Sequence, residues 1–244
     1  MAHCSGADYL QMEDLKVDSS GNIYVTGAMR GNTTCGGYSM NLIGSDDIYV
    51  AKLDSSGNWQ WAKNSGGSGY DTGGAVAVDN SGNVYFAGHF RGTASFAGLT
   101  FNAGPNNGDV VIGKYDSSGN WVWATRTVNT SYTYPTGLDL DSSGNLWVTG
   151  GFSGTAYFGT IQKTASNNDI FLAKINPDTN QWLEVNQEGS PTQNDYVSDI
   201  SIGGSSDSIF SVGGYSGSDF ELGGITAPPH QGMGDIFVWK YTPN

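Results

Sequence analysis

Tyr9, Tyr70, Tyr132, Tyr134 and Tyr196 fall in segments rich in glycine, serine and asparagine, and Asp8, Asp71 and Asp195 stand beside three of them. A tyrosine next to a carboxylate suits sugar recognition, because the ring stacks on a pyranose face while the carboxylate accepts from its hydroxyls. The same rings equally suit plugging loops over an apolar core, and the sequence leaves both readings open. Arg30, Arg91 and Arg126 form a second set, and converging guanidinium groups are fitted to hold a carboxylate. Little else resembles catalytic machinery. The chain has no Gly-x-Ser-x-Gly elbow, His-Glu-x-x-His, Walker loop or cysteine cluster, and His3, His89 and His230 share no spacing. No catalytic residue, metal site or cofactor is therefore expected.

The composition narrows the partners. A formal charge of −13, with only 10 lysines and arginines in 244 residues, argues against nucleic acid, which needs basic side chains to displace counterions. No apolar run is long enough to insert in a membrane. The 37 glycines, with 14% charged and 12% aromatic residues, fit many short strands joined by tight turns. Met1–Ser5 lacks the features of a signal peptide, yet the Ser/Thr/Asn/Gly-rich character hints at export. Cys35 aligns with Phe96 and Phe158 and is expected as a small buried hydrophobe; pairing with Cys4 is conceivable.

What must position these residues is a repeat. The pentapeptide Asp18-Ser19-Ser20-Gly21-Asn22 returns at 54–58, 79–83, 116–120 and 141–145, always between two apolar runs. Aspartate accepts from the N–H groups just ahead of it and glycine takes a positive φ, so each copy is a hairpin turn. One carboxylate per turn is too few for a calcium loop. Three landmarks then give a period of roughly 62 residues: Gly27, Gly88, Gly150 and Gly213; Asp47, Asp109, Asp169 and Asp235; Lys52, Lys114, Lys174 and Lys240. A charge present in every repeat more often holds repeats together than serves a ligand.

Each unit predicts four antiparallel strands, a to d. Strand a alternates, as Val76/Val78, Leu138/Leu140 and Ile200/Ile202 show. Strand b in the first three units and strand c in all four are continuous apolar runs expected to be buried on both faces, as in Val84-Tyr85-Phe86 and Ile236-Phe237-Val238. Strand d alternates about Trp59/Trp61 and Trp121/Trp123. The last unit stops after strand c, and Met1–Gly6 aligns with Trp61–Gly66, supplying the missing strand d. Complementary ends predict a closed ring, which hides sheet edges. The fold expected is all-β: one domain, a four-bladed β-propeller of units 6–65, 66–127, 128–188 and 189–244 plus 1–5, the N-terminal strand completing the last blade. The a–b and c–d turns then face one side. The divergent segments 28–46, 89–108, 151–168 and 214–234 (b–c), with 5–13, 63–74, 126–136 and 186–198 (d–a), face the other as long loops.

Asp79–Gly88, Gly92–Phe96 and Asp169–Lys174 resemble the SBBP-type bacterial β-propeller repeat, and the resemblance runs through all four units. It implies an exported or cell-surface protein and says little about activity. The Asp-x-x-Gly-Asn-aromatic portion is also similar to NHL repeats, and Asp54–Trp59 is similar to the Asp-box of sialidases with one extra residue. The function expected is a monomeric, secreted or cell-surface recognition module, not an enzyme, that binds carbohydrate or a cell-surface protein. Tyr9, Arg30, Tyr70, Asp71, Arg91, Tyr134, Asp195 and Tyr196 are its candidate binding residues. The alternatives are an architectural spacer in a larger surface protein and, as a minor case, a sialidase-like glycoside hydrolase.

Overall fold

A computed structural model describes residues 1–104, 107–203, 207–228 and 234–243. All regular structure among them is β, with no helix. His230 and part of the degenerate 204–208 turn lie outside the described residues. The chain forms two compact units, Met1–Arg126 and Thr127–Asn244, divided where the second repeat gives way to the third.

In the first unit, repeat one runs Tyr9–Val17, Ile23–Arg30, Asp47–Leu53 and Trp59–Gly67, each strand antiparallel to the next. Repeat two runs Thr72–Val78, Val84–Arg91, Gly108–Tyr115 and Trp121–Asn129, whose last three residues fall beyond the unit boundary. In the second unit, Tyr132–Leu140, Leu146–Phe158, Ile161–Asn176 and Gln181–Glu188 make repeat three. Tyr196–Gly203, Ser208–Tyr215 and Asp235–Tyr241 make repeat four.

The pentapeptide forms the expected turns. Asp18 Oδ1 accepts from Ser20 and Asn22 N–H, both at 2.9 Å, and Gly21 takes φ 79°. The other four copies repeat this, with glycine φ between 78° and 83°. In the degenerate copy Asn176 accepts from Asp178 and Thr179 N–H, and Asn180 takes the positive φ of 58°. Each turn aspartate also anchors the sheet. Tyr24, Tyr85 and Trp147 on strand b donate to Asp18, Asp79 and Asp141 at 3.0–3.1 Å. The strand-c lysines Lys52, Lys114 and Lys174 lie over those same rings at 5.2, 5.0 and 5.0 Å. Asp47 and Lys52 therefore form no pair; the lysine belongs to the turn end of the strand.

Adjacent repeats interlock by apolar packing. Tyr24, Ile48, Val50 and Trp61 of repeat one meet Val76, Phe86, Val111 and Tyr115 of repeat two in one cluster. Trp147, Ile170 and Leu172 of repeat three meet Ile200, Ile209, Phe237 and Trp239 of repeat four in another. Backbone locks accompany both: Val76 N–H donates to Asp14 and Ile202 N–H to Asp139, each at 2.8 Å.

Three expectations need correction. The b–c segments are largely paired strand rather than loop. Thr33–Cys35 with Tyr38–Met40 and Thr93–Phe96 with Leu99–Asn102 are hairpins, and strands b and c of repeat three extend without a break. Their polar–apolar alternation suits a half-buried ribbon. Secondly, strands b and c of repeat four are buried on one face only. Phe210 and Val212 are exposed, Ile236 is 86% exposed and Val238 73%, because these side chains point away from the unit's core. Leu10, Met12, Leu15 and Val17 of repeat one are exposed likewise. Thirdly, the terminal register is shifted by one residue. Ser5 pairs with Thr34 as Gly66 pairs with Ser95, so Cys4 corresponds to Ser65 rather than Asn64. Cys4 lies opposite Cys35 and the two form a disulfide, closing a separation of 31 residues. Cys35 is fully buried, as expected, but as half of a cross-link.

The third turn network is the most enclosed. Burial alone would raise the Asp141 carboxyl, but hydrogen bonds from Asn145, Trp147 and Lys174 outweigh it and hold the group below its ordinary value. Asp141→Ala is expected to destabilise the chain by about 2–3 kcal/mol at pH 7, measured by denaturant unfolding. A depressed folded-state value gives stability that is present above the unfolded value of 3.8 and lost as pH falls through the folded one. The difference between wild type and variant should accordingly vanish in acid.

Candidate functional site

The aspartate that opens strand c is held by a clamp repeated three times. Asn64 Nδ2 donates to Asp47 Oδ2 at 2.6 Å and to Asn41 O at 2.7 Å. Arg126 Nη1 donates to Asp109 Oδ2 at 2.7 Å and to Asn102 O at 2.8 Å. Gln187 Nε2 donates to Asp169 Oδ2 at 2.6 Å and to Thr164 O at 2.9 Å. One strand-d donor thus ties the buried aspartate to the b–c hairpin, fixing that hairpin over the sheet. Sequence comparison missed the clamp because asparagine, arginine and glutamine share no type. The only signal was their spacing of 17, 17 and 18 residues after the aspartate.

The first unit brings three of the expected binding residues together. Arg30, at the end of strand b, makes a two-pronged contact with Asp46, Nε to Oδ1 and Nη2 to Oδ2, both at 3.0 Å. Its guanidinium lies over the Tyr9 ring at 5.9 Å, and Asp46 pairs with Tyr70 in a parallel bridge. Tyr9, Arg30 and Tyr70 are all exposed. Arg91 occupies the equivalent place in repeat two, but Gly108 stands where repeat one has Asp46, so that two-pronged contact is not repeated. Arg126 is committed to the Asp109 clamp, which leaves no converging set of three arginines.

The second unit builds a different patch from the same positions. Tyr132 and Tyr134 lie 5.6 Å apart, Asn168 Nδ2 donates to the Tyr134 hydroxyl at 3.0 Å, and Tyr196 is exposed. Tyr134 is half-buried, and burial pushes its phenol up. A Cβ on Gly151 would lie 2.4 Å from the Tyr134 hydroxyl, so glycine is needed for the ring to seat.

Asp71 and Asp195 are not surface acceptors. Both are fully buried, and they staple the d–a corner. Asp71 accepts from Gly67 N–H at 2.6 Å and Arg91 N–H at 3.1 Å, while its own N–H donates to Asp46 O. Asp195 accepts from Ser190 N–H, and its N–H donates to Asn168 O. Burial pushes both carboxyls up to about 6 despite these donors, with Asp47 and Asp169 adding like charge. The physical reason is placement: each is the first residue inside the corner, where the backbone leaves N–H groups to satisfy. His89 is also buried; desolvation pushes it down to about 3, and its ring packs against Gly108. No set of three or more His, Cys, Asp or Glu side chains able to hold a metal gathers among the described residues.

Asn64→Ala would leave Asp47 Oδ2 and Asn41 O without their shared donor. A loss of about 2 kcal/mol is expected, with faster amide exchange through the Thr33–Met40 hairpin.

No family model matches the chain. It is 28% identical over 197 residues, 77% of its length, to the regulatory protein FlaEY of Caulobacter vibrioides, of which it spans 20%. Among solved structures it is similar at the level of the chain trace to a luciferin-regenerating enzyme, with TM-score 0.28, 12% identity, and 87% and 88% of the two chains covered. It is likewise similar to the Dos1 propeller, with TM-score 0.34, 13% identity, and 86% and 53% covered.

Proposed function

We propose that the four repeats form a β-propeller-like recognition module, without catalytic activity, that binds carbohydrate or a surface protein through its b–c/d–a face. The observation that carries this reading is the Tyr9–Arg30–Tyr70 patch. The guanidinium lies over the exposed Tyr9 ring and is oriented by Asp46, to which the exposed Tyr70 is bridged, so two rings and an exposed cation are offered together. Aromatic faces with a fixed polar fork bind sugar rings and peptide side chains alike. The Tyr132–Tyr134–Tyr196 group offers a second, unequal patch. The resemblance to SBBP-type repeats and the Cys4–Cys35 disulfide both fit a secreted or cell-surface setting.

The finer architecture, a four-bladed ring as a single monomeric domain, belongs to the same proposal. Cys4–Ser5 pairs with the b–c hairpin of repeat one, as Gly66–Gly67 pairs with that of repeat two and Thr127–Asn129 with that of repeat three. The N-terminal strand therefore occupies the place that strand d of a preceding repeat takes elsewhere. The exposed faces of repeats one and four favour a second reading, an architectural segment continued by further repeats.

Binding is tested by presenting the chain to a glycan array and to surface extracts. Tyr9→Ala with Tyr70→Ala, both exposed, should reduce binding at least tenfold while leaving the melting temperature nearly unchanged; unaltered binding sinks the assignment. Small-angle scattering tests the ring. A monomer with a radius of gyration of about 18 Å is expected, whereas an elongated particle supports the segment reading.

A further inference from the structure

We propose that the Cys4–Cys35 disulfide is a redox-sensitive tether for the Tyr9–Arg30–Tyr70 patch. A dithiol opens it, releasing residues 1–8 and unseating Tyr9 while the sheet beneath stays folded. The disulfide and the patch lie at two ends of one ribbon. Cys4 pairs with Cys35 and Ser5 with Thr34; Asp8 N–H then donates to Arg30 O at 2.8 Å, and Tyr9 pairs with Arg30. Between these pairs the two backbones pass closely. A Cβ on Gly6 would lie 2.8 Å from Asn32 O, and one on Gly31 2.9 Å from Asp8 N, with φ of 100° and 93° at the two glycines. The cross-link at Cys35 is thereby carried along the ribbon to Tyr9, whose ring lies 5.9 Å from the Arg30 guanidinium.

The two sides of the disulfide are held differently. Cys35 is fully buried in a cluster with Met29, Met40, Tyr49 and Ala62, and Asn64 ties the adjoining Asn41 O to Asp47. That side does not depend on the cross-link. Of residues 1–8, by contrast, only Cys4 and Ala7 are even half-buried. A two-residue ladder that buries little apolar surface is marginal in water, so the disulfide supplies what keeps this segment in place. Its outer sulfur is also within reach, because Cys4 lines an open groove of about 360 Å³ together with Leu10, Met12 and Leu15. In the exchange, one thiolate of the dithiol attacks Cys4 Sγ and forms a mixed disulfide, while Cys35 leaves as thiolate and takes up a proton. The second thiol then closes on the first and frees Cys4; the dithiol is oxidised to its disulfide and both cysteines are reduced to thiols. The effect on binding rests on the patch being the ligand site proposed above, whereas the release rests on the ribbon alone.

The test treats the full chain with dithiothreitol, counts thiols, and follows amide exchange by mass spectrometry beside binding to the glycan array. Two thiols, exchange at least tenfold faster in residues 4–10, unchanged exchange in Asp47–Leu53 and binding weakened at least fivefold are expected, all reversed on reoxidation. Cys4→Ser should match the reduced chain and ignore the reagent. A disulfide that resists dithiothreitol in the folded chain overturns the proposal, as does unchanged exchange in residues 4–10 once two thiols are counted. Faster exchange spreading through Asp47–Leu53 overturns it too, since the disulfide is then a general staple. Binding that persists in the reduced chain yet is lost in a Tyr9→Ala chain overturns the coupling. Faster exchange in residues 4–10 with no binding by either form supports the tether and counts against the patch as a ligand site.

Discussion

The strand-c aspartates of the first three repeats are buried under their b–c hairpins, and a carboxylate taken out of water must be met by donors or by charge. The rest of the molecule is arranged around that requirement at Asp47, Asp109 and Asp169. A strand-d side chain reaches back to each of them and to a carbonyl of the b–c segment, so strands c and d and that segment share one atom cluster. The hairpin cannot slide without breaking the clamp. The position and direction of strands b and c are fixed at one end by this clamp and at the other by the turn aspartate with its stacked lysine.

The two ends of the sheet consequently differ in character. At the turn end, Asp18, Asp79 and Asp141 serve local geometry, the turn's own N–H groups and one aromatic hydroxyl or indole on strand b. That arrangement is self-contained within seven residues and recurs almost unchanged. At the clamp end the partners come from distant segments and vary in kind: amide, guanidinium, amide. Variation in the donor is tolerated because only an N–H at the right place is demanded, while the aspartate itself cannot change. The exposed residues around the clamp, Tyr9, Arg30, Tyr70 and Tyr196, are free of that demand and are the ones able to specialise.

Between neighbouring repeats the dominant contribution is apolar burial, as the interlocked clusters of Tyr24 with Phe86 and of Trp147 with Phe237 show. Ile236 and Val238 carry the same pattern as Ile48 and Val50, yet the first pair is exposed and the second buried. Sequence pattern sets which side chains are able to pack; only the presence of a neighbouring sheet decides whether they do.

The repeat period, the antiparallel strands and the hairpin turns follow from the sequence alone, because each rests on local chemistry: a side-chain acceptor, a positive-φ glycine and an alternation of period two. The tyrosines and Arg30 were likewise legible as candidate binding residues, though the contact of Arg30 with Asp46 was not. Other features were not. Asp71 and Asp195 look like surface acceptors beside tyrosines, and only the corner they occupy shows them buried and spent on backbone N–H groups. Asn64, Arg126 and Gln187 look unrelated until strand pairing sets them at one register opposite Tyr49, Val111 and Phe171. Cys4 and Cys35 become a disulfide because the terminal strand pairs one residue out of the register that simple alignment gives. Long-range pairing brings together residues whose types carry no common signature, and that is what tertiary structure alone decided.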